Sequence, residues 1–377
     1  MRLMMRSTIL LLATIGSVGT ARGQGLTAVA LRSADATLPV EFTRIASIRE
    51  LADRLVLVTD DREGRFGVAD FAAGTFHDIG RRGRGPGEYS QLGRLWAAGG
   101  DTTIVGDLGK GAALHTIVGV RIVAELAPDN LAVRVGSWFP NGADRRGFVS
   151  RTITHGASPD DSLAVVNVHL SSGRIDTIAK LGTVASRASA GGRKAAADGR
   201  RTGPSRYMMG MEARDVATLF PDGWTAVLRA DPYRVDWCSP KRPCVRGAVL
   251  VATMKSISDA DKRAYMAFTR KTADWPRTEK LEETDGWPDH VPHYVMPMGF
   301  IDASPALPMP DGRLLVQRTP TAASPNNVYD VVARDGTLAA RITMGIERRI
   351  VGFGQRSVYV AALDGDGIQK LSRHAWP

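Results

Sequence analysis

The chain has 377 residues, 44% of them hydrophobic, with 40 glycines, 20 prolines and a formal charge of +10. Such a length and apolar content can bury a large core, in two ordinary domains or one large repeat fold, and the glycines and prolines supply many turns. The basic excess collects in loops such as residues 81–84 and 187–201, without the interleaved aromatics that stack bases, which sets nucleic acid aside as a partner.

Residues 1–23 read as a secretory signal peptide: Arg2 and Arg6 precede an apolar run at 9–15, and Ala21 and Gly23 occupy the −3 and −1 places before Gln24. That run is too short for a mature membrane span, and no other long apolar run follows. With no cysteine near the cleavage region, no lipoprotein anchor is expected, and the product should be soluble in the periplasm or outside the cell. Cys238 and Cys244 are the only cysteines, and in an exported protein their spacing of six predicts one local disulfide closing a hairpin loop.

Residues 42–48, 55–58, 66–69 and 76–79 follow one another between turn residues at Asp53-Arg54, 61–64 and Ala73-Gly74, which predicts a four-stranded antiparallel meander. A glycine-rich turn comes next, with Gly80, Gly83, Gly85, Pro86, Gly87, Glu88 and Tyr89. Strands at 102–105, 113–117 and 121–126 make a second meander. Its Ile104-Val105-Gly106-Asp107 is a copy of Leu57-Val58-Thr59-Asp60, 47 residues on from Asp60 to Asp107. Gly80 to Tyr89 matches, at every fixed position, the Gly-x-x-Gly-x-Gly-Pro-Gly-Glu-aromatic turn of the secreted bacterial six-bladed β-propeller family, related to NHL-repeat proteins. The chain resembles that family over most of its mature length. The resemblance implies an all-β fold for residues 24–377, a six-bladed β-propeller of four-stranded antiparallel meanders, and says little about activity.

A third blade is predicted from Val133, Gly136 and Trp138 and from strands at 147–152, 163–170 and 176–181, with Ser172-Gly173 as its hairpin. Residues 184–206 lack apolar periodicity and read as a flexible excursion. Phe220-Pro221-Asp222-Gly223-Trp224 recurs as Met309-Pro310-Asp311-Gly312-Arg313, 89 residues on, which fits either one blade between the copies or an insertion lengthening a single blade. Between them one helix is predicted at about 259–272, capped by Ser258, with Asp261 at its third position and Ala264 and Phe268 on a shared face, as a cap lying on the ring. The last two meanders run over 329–343 and 350–373. The final one has three strands, so residues 26–31, with Leu26, Val29 and Leu31, are predicted to close the ring as its outer strand.

Candidate ligand contacts are Arg84, Glu88 and Tyr89 on the glycine-rich loop, because loops on a rigid scaffold commonly carry binding. Alternatively, Glu88 pairs with a neighbouring arginine or caps the loop's amides. Asp60 and Asp107 either point carboxylates at the central channel or bond turn amides. Asp289, His290 and His293 are the best metal candidates, with Pro292 arguing for an ordinary proline-rich loop instead. Asp364-Gly365-Asp366-Gly367 lacks the later ligands of a calcium loop and reads as a hairpin turn. No nucleophile elbow, phosphate loop or dinucleotide fingerprint is present. The expectation is a monomeric binding or interaction module for a protein, peptide or glycan, with no cofactor and no membrane span. The alternative is a metal-dependent hydrolase of lactonase type, or a lyase, which would need carboxylates from several blades around an ion.

Overall fold

The computed structural model describes residues 27–111, 113–126, 140–154, 163–182, 211, 213–251, 253–273, 287–297 and 304–376. Residues 1–23, expected to be a signal peptide, and Leu26, Val133, Gly136, Trp138 and the 184–206 segment lie outside the described residues. Six sheets in chain order form a six-bladed β-propeller. The first blade is β3 (Ile45–Glu50), β4 (Val56–Asp60), β5 (Arg65–Asp70) and β6 (Thr75–Asp78). The second is β7 (Leu92–Gly99), β8 (Thr102–Asp107), β9 (Ala113–Val118) and β10 (Arg121–Leu126). The third contains β11 (Phe148–Thr154), β12 (Leu163–His169) and β13 (Ile175–Leu181). On its inner side, Gly142 bridges Leu219 and Ala143 bridges Val149. The fourth is β14 (Val216–Leu219), β15 (Thr225–Arg229), β16 (Arg234–Ser239) and β17 (Arg242–Val245). The fifth is β18 (Ala306–Pro308), β19 (Leu314–Gln317), β20 (Asn327–Val332) and β21 (Leu338–Met344). The sixth is β22 (Arg348–Phe353), β23 (Ser357–Leu363) and β24 (Gln369–Ala375).

Ring closure differs from expectation. The outer strand of the sixth blade is β2 (Ala36–Phe42), antiparallel to β24, whereas β1 (Thr27–Val29) pairs in parallel with β21 as a fifth strand of the fifth blade. Pro39 obscures β2 in the sequence. An edge strand tolerates it because one side of the strand needs no ladder donor, and the register shifts between Thr37 and Glu41 around it. The predicted strand at 42–48 is in fact the end of β2, a corner at Thr43-Arg44, and most of β3. The inner strand β7 leaves no clear strand pattern in the sequence, because Gly93, Arg94 and Gly99 interrupt its apolar alternation.

A repeated valine packs the blades. The turn into each second strand is closed by a backbone bond, accepted by the carbonyl of Leu55, Phe148, Trp224, Arg313 or Ser357, and in the second blade Thr102 pairs with Gly99. Three residues further on stand Val58, Val105, Val227, Val316 and Val360, each 0% exposed, and Arg151 in the third blade. Each valine faces the preceding blade: Val58 clusters with Val351 and Tyr359, and Val227 with Val165 and Leu181. Burial of such rows between sheets is the main stabilising term of the ring.

The two proline-aspartate-glycine turns belong to adjacent blades, so an insertion explains their spacing. It carries α1 (Asp259–Ala273), whose Ser258 Oγ accepts from Asp261 N–H at 3.2 Å and donates to Asp261 Oδ2 at 2.6 Å, a reciprocal cap. Its buried face is Asp261, Tyr265, Met266 and Thr269, one step round from the predicted Ala264 and Phe268. Tyr265 clusters with Met211, Val291 and Val295. No helix among the described residues is long and apolar enough to cross a membrane.

Candidate functional site

In a meander the strands alternate direction, so the links between blades and the second-to-third turn of every blade lie at one end of the ring. α1 sits at that end: Asp261 Oδ1 accepts from Ala322 N–H at 3.1 Å, on the β19–β20 loop, and Lys271 Nζ lies 4.0 Å from Glu347 Oε2 on the β21–β22 link. The glycine-rich loop, the link from β6 to β7, is on the same rim. Lys110 Nζ donates to Gly85 O at 2.9 Å, and Arg82 Nη1 to Glu63 O at 3.3 Å.

The five predicted contacts divide by role. Glu88 folds back on its own loop, accepting from Arg81 Nε at 2.7 Å and Gly85 N–H at 2.8 Å, and the Gly85 amide, then the Arg81 side chain, hold its carboxyl below the usual range. Tyr89 is buried between the first two blades, its ring edge-on to Phe66 at 5.9 Å and its hydroxyl accepting from Phe66 N–H at 3.2 Å. Asp60 accepts the amides of Thr43, Arg44, Arg62 and Glu63 within 3.1 Å. Asp107 accepts those of Ser90, Gln91 and Gly109, with His115 Nε2 3.1 Å from its Oδ2. These four groups make the rim rigid, and Arg84 is exposed at its edge.

Inside the mouth, side chains that the sequence reading passed over converge near the starts of the inner strands. Arg94 of β7 donates Nη1 to Ala306 O of β18 at 3.1 Å, linking blades on opposite sides of the ring and so crossing the channel. Arg349 of β22 donates Nη2 to Ile45 O at 2.6 Å, and Arg44 grips Asp61 through Nε at 2.6 Å and Nη2 at 2.8 Å. Burial, helped by Arg94 and Arg44, draws the Arg349 guanidinium down to about 10, so it stays charged at neutral pH. Between the fourth and fifth blades, Asp330 accepts from Tyr233 OH, Arg318 Nη1 and Arg341 Nε within 3.0 Å, and His293 stacks on Tyr233 at 5.1 Å. Burial first, then Arg318, lowers the His293 pKa and favours neutral imidazole. Asp289 and His290 are exposed while His293 is buried, and among the described residues no three His, Cys, Asp or Glu side chains group to hold a metal. Cys238 and Cys244 form the expected disulfide, across the β16–β17 hairpin.

No family model and no curated protein matches the chain. Among solved structures it is similar to regucalcin, a calcium-binding protein of Agrobacterium tumefaciens, at 11% identity over 93% of this chain and 97% of that one, with a TM-score of 0.40. The major allergen Mala s 1 of Malassezia sympodialis is similar at 12% identity over 90% and 95%, with a TM-score of 0.41. A protein of unknown function from Bacteroides thetaiotaomicron is similar at 9% identity over 92% and 75%, also at 0.41.

Proposed function

We propose that the chain is exported and works as a monomeric binding module, taking a protein, peptide or glycan at the channel mouth, on the end of the ring that carries α1. The disulfide supports export, since such bonds persist in oxidising compartments. The observation that carries the binding reading is Arg94, whose guanidinium reaches across the channel to Ala306 O of the opposite blade at 3.1 Å. Arg349 is near enough for the Arg94 charge to act on it, so the mouth presents positive charge inside a rigid rim. Arg84 at the rim edge adds an exposed donor. The test is a peptide and glycan screen followed by calorimetry on the hits. Arg94→Met should weaken them by about tenfold or more, equivalent to roughly 1.4 kcal/mol, and Arg84→Ala should weaken them less without changing Tm. Hits that bind both variants as well as the parent, or metal-dependent lactone hydrolysis, would overturn the reading.

A further inference from the structure

The odd member of the valine row sits between the second and third blades. Val149 and Arg151 alternate onto the same face of β11, and Val149 packs in a cluster with Trp96, Ile104 and Leu114 of the second blade. Arg151 therefore projects into the same wall, where five other blades have a fully buried valine. It is 3% exposed, and among the described residues neither Nε nor Nη2 has a hydrogen-bond partner. The indole Nε1 of Trp96, in the same wall, is a third buried donor without an acceptor. A buried, uncompensated guanidinium costs several kcal/mol, so a fold that needs only valine there has no structural reason to keep it. The two orphan nitrogens also share one edge of the guanidinium, the edge whose parallel N–H bonds match the two oxygens of a carboxylate.

We propose that the wall between the second and third blades holds a buried site for a small carboxylate anion, gripped side-on by Arg151 Nε and Nη2, with the Trp96 indole N–H available in the same wall. Near-complete burial limits the ligand to a small molecule. Burial alone draws the guanidinium down to about 10, with no carboxylate acting against it, so the group is charged and uncompensated at neutral pH. This site is separate from the channel mouth and stands whether or not the mouth binds.

The test is the melting temperature of the full mature protein as formate or acetate replaces chloride at constant ionic strength. The parent should show a rise of several degrees that grows with the logarithm of carboxylate concentration once the site fills, because a ligand bound only to the folded state stabilises it by RT ln(1 + L/Kd), with L the free ligand concentration. Arg151→Val, which restores the residue of the other blades, should show no carboxylate-specific rise, and its melting temperature in chloride should equal or exceed the parent's. Arg151→Met keeps the length of the side chain without its charge and should behave the same way should the valine variant fold poorly. A parent with no carboxylate-specific rise overturns the proposal whatever the variants do, as does an equal rise in all three proteins.

Discussion

Asp107 is fully buried at the end of β8, and its oxygens take three backbone amides and face the ring of His115. Burial opposes its charge, but His115 and the amides of Gln91 and Ser90 outweigh burial, and its pKa lies below the ordinary carboxylate value. A carboxyl with a depressed folded pKa contributes stability that is fully present above its unfolded pKa, near 4, and lost as pH falls through the folded value. Asp107→Asn should therefore cost about 2–3 kcal/mol at neutral pH, by the strength of charge-assisted bonds, and flatten the loss of stability below about pH 4. Chemical denaturation across that range checks it, and a variant as stable as the parent would show these bonds to be incidental. Of the two roles left open for Asp60 and Asp107 by their sequence, the amide contacts are the ones the structure displays. Arg94, Arg349 and Arg151 were not legible. Arg151 stands between Ser150 and Thr152, Arg94 after Gly93 and Arg349 after Arg348, settings that look solvated in a strand, and only alignment of the blades in space shows that Arg151 stands in a valine row.

At the scale of elements, the turns were the readable part. The Gly80–Tyr89 loop places Glu88 and Tyr89 by short-range contacts that its own residues encode, and Ser258 with Asp261 caps α1 as their spacing predicts. Closure was not readable, because strand partners 330 residues apart leave no local trace and Pro39 hides the strand that closes the ring. Two truncations separate the roles of the N-terminal strands. Removing residues 24–32 deletes the short parallel pairing of β1 with β21 and the partly buried Val29 and Leu31, and should cost roughly 1–3 kcal/mol. Removing 24–42 also takes Leu38 and Phe42, each 1% exposed, with Phe42 edge-on to Phe76 at 5.3 Å, and should cost about 5 kcal/mol or more. Equal melting temperatures for the two truncations would show that β2 does not close the ring.

For the whole molecule, six sheets, five of them sharing a buried valine, make a stiff ring, and function resides in the groups the ring carries, since propellers host both binding and catalysis. The buried carboxylates of the first two blades hold turns, and the inner strands bring guanidinium groups to the mouth, the arrangement on which the proposed binding of an oxygen-rich ligand rests. The most direct measurement is the metal content of the purified protein after extensive dialysis, paired with its melting temperature in a strong chelator. A binding module should hold well under one equivalent of calcium or zinc and keep its melting temperature in the chelator. One tightly held equivalent, with a large fall in melting temperature on chelation, would contradict the binding reading.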